Sequence, residues 1–100
     1  VCSSDLWANL TGVNLTGANL TGINATEIYL KKANLTGANL TDANLRVSTF
    51  TNANLTDANL TGANLRMANL TGANLTGANL TGTIFCKTTM PDGTKNDSGC

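Results

Sequence analysis

The chain repeats itself every five residues, and that period suits neither of the regular elements that chains ordinarily form. With the sequence aligned on positions 10, 15, 20 and onward to 85, leucine fills 13 of the 16 positions, and Ala25, Phe50 and Phe85 take the rest. Alanine stands two residues earlier in 11 of the 16, with Val13, Ile23, Ile28, Ser48 and Thr83 as exceptions. Asparagine immediately precedes the aligned residue in 13 of them, and threonine and then glycine commonly follow. The unit therefore reads Ala-Asn-Leu-Thr-Gly, unbroken from Ala8 to Lys87. A fixed repeat of this kind outranks single-residue propensity as a guide to architecture.

On an α-helix each residue advances by about 100°, so leucines five apart rotate by about 140° and smear around the rod. On a straight strand side chains alternate, and an odd period throws successive leucines onto opposite faces. The pattern becomes coherent only if the backbone bends once per unit. Alanine and leucine, two apart, then point inward from a short extended segment while Thr-Gly turns the corner. The third residue of a type II turn needs positive φ, which glycine accepts, as at Gly17 and Gly37, and which Asn52, Asp42 and Asp57 tolerate. Glu27, Val47 and Met67 fall at the same place and resist positive φ, so their corner is expected to use a different turn. Repeated bends of one sense wind a coil, and stacked coils pair their backbones at about 4.8 Å. The axis is then filled by Leu10, Leu15, Leu20, Leu30, Leu35, Leu40, Leu45, Phe50, Leu55, Leu60, Leu65, Leu70, Leu75, Leu80 and Phe85, with Ala25 in the same series.

Units such as Ala33-Asn34-Leu35-Thr36-Gly37 meet the pattern A-(D/N)-L-X-X, and through them the chain resembles the pentapeptide-repeat family over about four fifths of its length. The resemblance implies an all-β fold: a right-handed quadrilateral parallel β-helix, four units per coil, with about four coils, a solid core and an irregular C-terminal cap. The expected organisation is an N-terminal cap at 1–7, a β-helix at 8–87 and a tail at 88–100. Leu6 and Trp7 are expected to form a lid on the first coil. In the tail Pro91-Asp92-Gly93 breaks the pattern as a turn, and Met90 is expected to fold back near Phe85. The ending from Phe85 to Cys100 also resembles the tails of cyanobacterial and plastid members. That resemblance implies a photosynthetic source and a thylakoid lumen or periplasm as compartment.

None of Cys2, Cys86 and Cys100 matches a consensus residue of the repeat, and one bridge among three cysteines allows three pairings. Cys86 with Cys100 is the expected pair, because both flank the same irregular tail. A bridge there favours an oxidising compartment, and free thiols in the cytoplasm are the alternative. The chain opens on Val1 rather than methionine, which suggests a processed or trimmed N-terminus.

Chemistry is scarce. There is no histidine, so the usual general base, metal ligand and pH switch are missing. The carboxylates are scattered, and Asp42 and Asp57 fall on different faces of a four-unit coil, so no acid–base pair forms. No enzyme activity, metal or cofactor is expected. Six basic and six acidic residues give zero net charge, which implies no attraction to nucleic acid or anionic membranes. No apolar run exceeds four residues, far short of a membrane span. Some members of the family are proposed to mimic DNA, which needs an acidic face that this composition lacks. The Asn-x-Thr sequons arise from the repeat itself, and the asparagines are expected to bond from coil to coil.

The exceptions to the repeat are the informative residues. They cluster at Thr26–Lys32, Arg46–Thr49, Arg66–Met67 and Lys87, about twenty residues apart, so one coil apart. Glu27, Val47, Met67 and Lys87 then form one column, with Arg46 over Arg66. Tyrosine, arginine and methionine are enriched at interfaces. Glu27, Tyr29, Lys31, Lys32, Arg46, Val47, Arg66 and Met67 are therefore the candidate protein-binding stripe. The plainer reading is a duplicated twenty-residue module whose fourth corner differs in turn type. The function expected is a non-catalytic scaffold or accessory subunit. The alternatives are a self-associating rod forming homo-oligomers and a regulator seated in the groove of an enzyme.

Overall fold

A computed structural model describes residues 9–100. The expected Leu6–Trp7 lid and Cys2 lie outside the described residues. The chain measures 35 × 24 × 22 Å, a rod of nearly square cross-section. Single-residue parallel bridges join positions twenty apart, as in Asn14↔Asn34↔Asn54↔Asn74 and Tyr29↔Thr49↔Asn69↔Thr89. Four such columns define four faces per coil. No helix occurs among the described residues.

The five-residue unit is explained by where its amides go, since buried or stacked backbone groups must find partners. The leucine N–H donates to the asparagine-position carbonyl of the next coil, as Leu35 does to Asn54 at 2.7 Å. The asparagine N–H donates back to the preceding coil, as Asn54 does to Ala33 at 2.9 Å. The corner residue donates forward, Gly37 to Thr56 at 2.8 Å, and the alanine N–H closes the turn, Ala38 to Leu35 at 2.9 Å. Only the threonine N–H has no backbone acceptor. The asparagine side chain supplies one: Thr56 N–H donates to Asn54 Oδ1 at 3.0 Å, and its hydroxyl donates to the same oxygen at 2.6 Å. The asparagines thus serve their own coil as local turn caps and do not link one coil to the next. The expected inter-coil ladder is corrected on this point. An acceptor two residues before the threonine is within easy reach, whereas the neighbouring coil has already used its facing groups.

Inside, Leu30 to Leu70 and Phe50 are at most 1 % exposed, and the leucines and Phe85 of the end coils pack half-buried against them. Facing alanines let the walls approach. Where a hydroxyl replaces alanine it bonds a turn carbonyl: Ser48 Oγ to Leu45 at 2.6 Å, Thr83 Oγ1 to Leu60 at 2.7 Å, Thr88 Oγ1 to Leu65 at 2.6 Å. Ala25, the small member of the leucine series, is flanked by Ile23 and Ile28 in place of alanines, and an apolar cavity of about 130 Å³ remains around it.

The repeat runs past Lys87. Thr89 bridges Asn69, Met90 takes the leucine position against the core, and Pro91 accepts from Gly72 N–H at 2.9 Å. Proline at 91 suits the second place of a turn, and here the left-handed residue moves one place on, to Gly93 at φ 87°. That shift reverses the chain into a hairpin of β1, Thr88–Thr89, and β2, Lys95–Asn96, paired antiparallel. Asp92 Oδ1 accepts from the Thr94 hydroxyl and amide, which holds its carboxyl below the usual range. Cys86 is disulfide-bonded to Cys100, and Gly99 N–H donates to the Phe85 carbonyl, so the tail returns over the last coil.

Candidate functional site

Each coil turns four corners, and each corner has a residue of positive φ. Three columns are dominated by glycine, asparagine and aspartate: 12/32/52/72, 17/37/57/77 and 22/42/62/82, with Lys32 the one other residue. The fourth column is Glu27, Val47, Met67 and Lys87, with φ of 67°, 60°, 59° and 53°. This corrects the expectation of a different turn at that corner. The stack imposes the conformation. Glu27, Val47 and Met67 must aim their amides at the carbonyls of Arg46, Arg66 and Cys86, which they reach at 2.8, 2.9 and 2.8 Å. A left-handed L-residue costs roughly 1–2 kcal/mol, and a β-branched one such as Val47 is a true outlier there.

The structure places the residues of the candidate stripe along this corner and the face beyond it. Arg46 and Arg66 occupy consecutive coils just before this corner, both exposed, and Val47 and Met67 are 41 % and 44 % exposed, large apolar side chains facing water. The backbone amides of Arg46 and Arg66 are capped by Asn44 and Asn64 Oδ1 at 3.3 and 3.1 Å. Past the corner the chain crosses a face whose outward column is Tyr29, Thr49, Asn69 and Thr89. Lys31 and Lys32 lie at the far edge of that face. Glu27 stands at the first-coil end of the corner.

This face differs in its backbone as well. Tyr29 and Thr49 replace asparagine and bring no Oδ1, so the amides of Lys31 and Thr51 lack the cap found throughout the regular units. The third replacement, Ile84, is rescued, because Cys86 N–H finds Thr88 Oγ1 at 3.1 Å. Sequence reading missed this consequence, since the role of asparagine is apparent only once the threonine amide is seen to need an acceptor. Asp42 and Asp57 stand on two other corners, where they lean over Gly62 and Gly77 of the next coil. Among the described residues no group of His, Cys, Asp and Glu could hold a metal, and no helix is long and apolar enough to cross a membrane.

The family model for pentapeptide repeats matches residues 8–46 and 48–86, in eight copies. Alr5209, a pentapeptide repeat protein from Nostoc PCC 7120, is similar with 38% identity over 80% of this chain and 66% of its own, at a TM-score of 0.77. HetL, a pentapeptide repeat protein from the same cyanobacterium involved in regulating heterocyst differentiation, shows 39% identity over 88% of this chain and 43% of its own, at 0.53. A pentapeptide repeat protein from the thylakoid lumen of Arabidopsis thaliana shows 24% identity over 92% of this chain and 82% of its own, at 0.47. The chain thus spans less than two thirds of the length of the two cyanobacterial proteins. No curated protein matches it. The shared architecture is the right-handed quadrilateral β-helix.

Proposed function

The chain belongs to the pentapeptide-repeat family, and from that premise we propose that it is a rigid, non-catalytic scaffold that presents its fourth corner to a protein partner. The observation that carries this reading is the conformational strain along that corner. Four L-residues stand left-handed where glycine would fit without penalty, and two of them hold apolar side chains out in water. Outliers of this kind concentrate at sites of function. The binding residues are Glu27, Tyr29, Lys31, Lys32, Arg46, Val47, Arg66 and Met67, an edge and one adjoining face of a rod that keeps its shape on binding. The chain acts as an accessory subunit of a larger assembly. The Cys86–Cys100 bond supports an oxidising compartment, thylakoid lumen or periplasm.

Affinity capture from the source organism tests the reading. The Arg46→Glu/Arg66→Glu protein is expected to lose a partner that wild type and an Asp42→Asn/Asp57→Asn control both retain. A partner set identical for all three would remove the stripe. A second reading, self-association, rests on the last full coil. There the amides of Leu75, Gly77, Leu80 and Gly82 have no further coil to donate to among the described residues, and such open edges are templates for another chain. Light scattering showing a monomer at high concentration would exclude it.

A further inference from the structure

The zero net charge conceals a one-sided distribution. All six basic residues of the chain, Lys31, Lys32, Arg46, Arg66, Lys87 and Lys95, border the single face that lies between the strained corner and the next. Lys95 joins them from the hairpin, its Nζ donating to Thr89 Oγ1 at 3.0 Å. Among the described residues the carboxylates nearby are Glu27, at one end, and Asp92 and Asp97 in the tail, already engaged by Thr94 and by the Lys87 amide at 2.8 Å. Asp42 and Asp57 sit on corners away from this face, with no basic residue there.

From this we infer that the partner of the stripe is an acidic, extended protein segment lying across this face, its carboxylates on Arg46, Arg66 and the uncapped amides of Lys31 and Thr51. The inference rests on the scaffold reading and supplies its chemistry. Three independent features converge. Arg46 and Arg66 are like charges on residues one coil apart, whose backbones lie about 4.8 Å apart by strand spacing, so one anion can be reached by both side chains. The amides of Lys31 and Thr51 lack an oxygen acceptor of the kind that Asn Oδ1 provides elsewhere, and a carboxylate oxygen is such an acceptor. Val47 and Met67 add an apolar ridge beside the arginines, which suits peptide side chains and offers nothing to a phosphate backbone or a lipid headgroup.

The test uses four probes against the full chain: a fluorescent decapeptide alternating glutamate and valine, its lysine–valine counterpart, a single-stranded DNA oligonucleotide and phosphatidylglycerol vesicles. The glutamate peptide is expected to bind alone among them, with affinity falling as salt rises. Arg46→Glu/Arg66→Glu is expected to weaken it about tenfold or more, and Asp42→Asn/Asp57→Asn to leave it unchanged. The neutral pair Arg46→Gln/Arg66→Gln, with an intact far-ultraviolet spectrum, guards against misfolding and is expected to give an intermediate loss. The Lys31 and Thr51 amide resonances are expected to move on titration. Equal binding of both peptides, preference for DNA or vesicles, or binding indifferent to the arginines would overturn the inference. The two proposals fail separately. Capture that survives the arginine reversal removes the stripe itself, whereas capture that is lost while the glutamate peptide does not bind leaves the stripe standing and overturns its acidic partner.

Discussion

Two corners of the same rod solve the same backbone problem with opposite side chains. The 17/37/57/77 column uses Gly17, Gly37, Asp57 and Gly77, and its φ values of 68°, 67°, 59° and 71° are ones that glycine and aspartate adopt readily. The 27/47/67/87 column reaches nearly the same φ values with glutamate, valine, methionine and lysine. Amide donation to the next coil is alike in both, Gly37 to Thr56 at 2.8 Å and Val47 to Arg66 at 2.9 Å. The conformation therefore belongs to the stack, and the residue type is free to serve another end. At the first corner it lowers strain. At the second it adds strain of about 1–2 kcal/mol per residue and places charge and apolar surface outside. A stack that tolerates this is stabilised elsewhere, in the shared core and the inter-coil ladder.

The sharpest way to establish that the core is common is to truncate it behind each corner. Leu45 and Leu55 precede the strained and the relaxed corner and are both 1 % exposed. Leu45→Ala and Leu55→Ala are each expected to lose about 2–5 kcal/mol in urea denaturation, and to within error the same amount. A markedly smaller loss at Leu45 would mean that the strained corner is loosely packed and that its exposure reflects poor folding.

The next test reverses the glycine solution. Gly37→Val imposes on the relaxed corner the residue that Val47 already is, with no atom within 4 Å of the new Cβ, so the expected loss is strain alone, about 1–2 kcal/mol. Gly77→Val meets the Asp57 carboxylate as well and is expected to lose more. Thermal midpoints of the two variants rank them. Equal midpoints would show that Asp57 swings aside without effect.

How much of this was legible in the sequence follows from what the repeat does and does not encode. The period of five forced one bend per unit, and with it the inward leucines, the twenty-residue coil and the alignment of Arg46 with Arg66. The Cys86–Cys100 pairing was readable because both cysteines bracket one irregular tail. The turn at Val47 was misread because propensity was applied to a residue whose amide is committed to a neighbour twenty residues away in the stack. The asparagines were misread because period alone cannot show which amide lacks an acceptor. Thr88, Thr89 and Met90 carry neither alanine nor asparagine nor leucine, yet they occupy the same three positions, Thr88 by satisfying its hydroxyl on Leu65. The one-sided charge was missed because a net charge of zero says nothing about which corner each lysine and arginine occupies.

The asparagine caps give a smaller and more pointed test. Asn54, just before the Thr56–Asp57 corner, accepts two bonds from Thr56. Asn54→Ala is expected to lose about 1 kcal/mol, the worth of a local cap whose donor becomes unsatisfied. Thr49→Asn is its converse on the strained side, supplying Oδ1 to the Thr51 amide, and is expected to gain several tenths of a kcal/mol. If the acidic segment docks where that oxygen is missing, the same substitution also weakens the glutamate–valine peptide. A stability gain with undiminished peptide binding would place the carboxylates away from Thr51.

A modest change in stability at Val47 carries the most weight for function. Val47→Asn keeps the left-handed backbone with a residue that tolerates it, as Asn52 does one unit on at φ 60°. It also removes a side chain that is 41 % exposed and so contributes little to the core. Folding is therefore expected to improve by about 0.5–1 kcal/mol, read as a rise in thermal midpoint, while peptide binding weakens through loss of the apolar ridge. A variant that gains stability as it loses binding separates the two roles of the corner, because no purely structural residue behaves in that way. If Val47→Asn instead destabilises the rod, the valine serves packing, and the strain at this corner is no evidence of a binding surface.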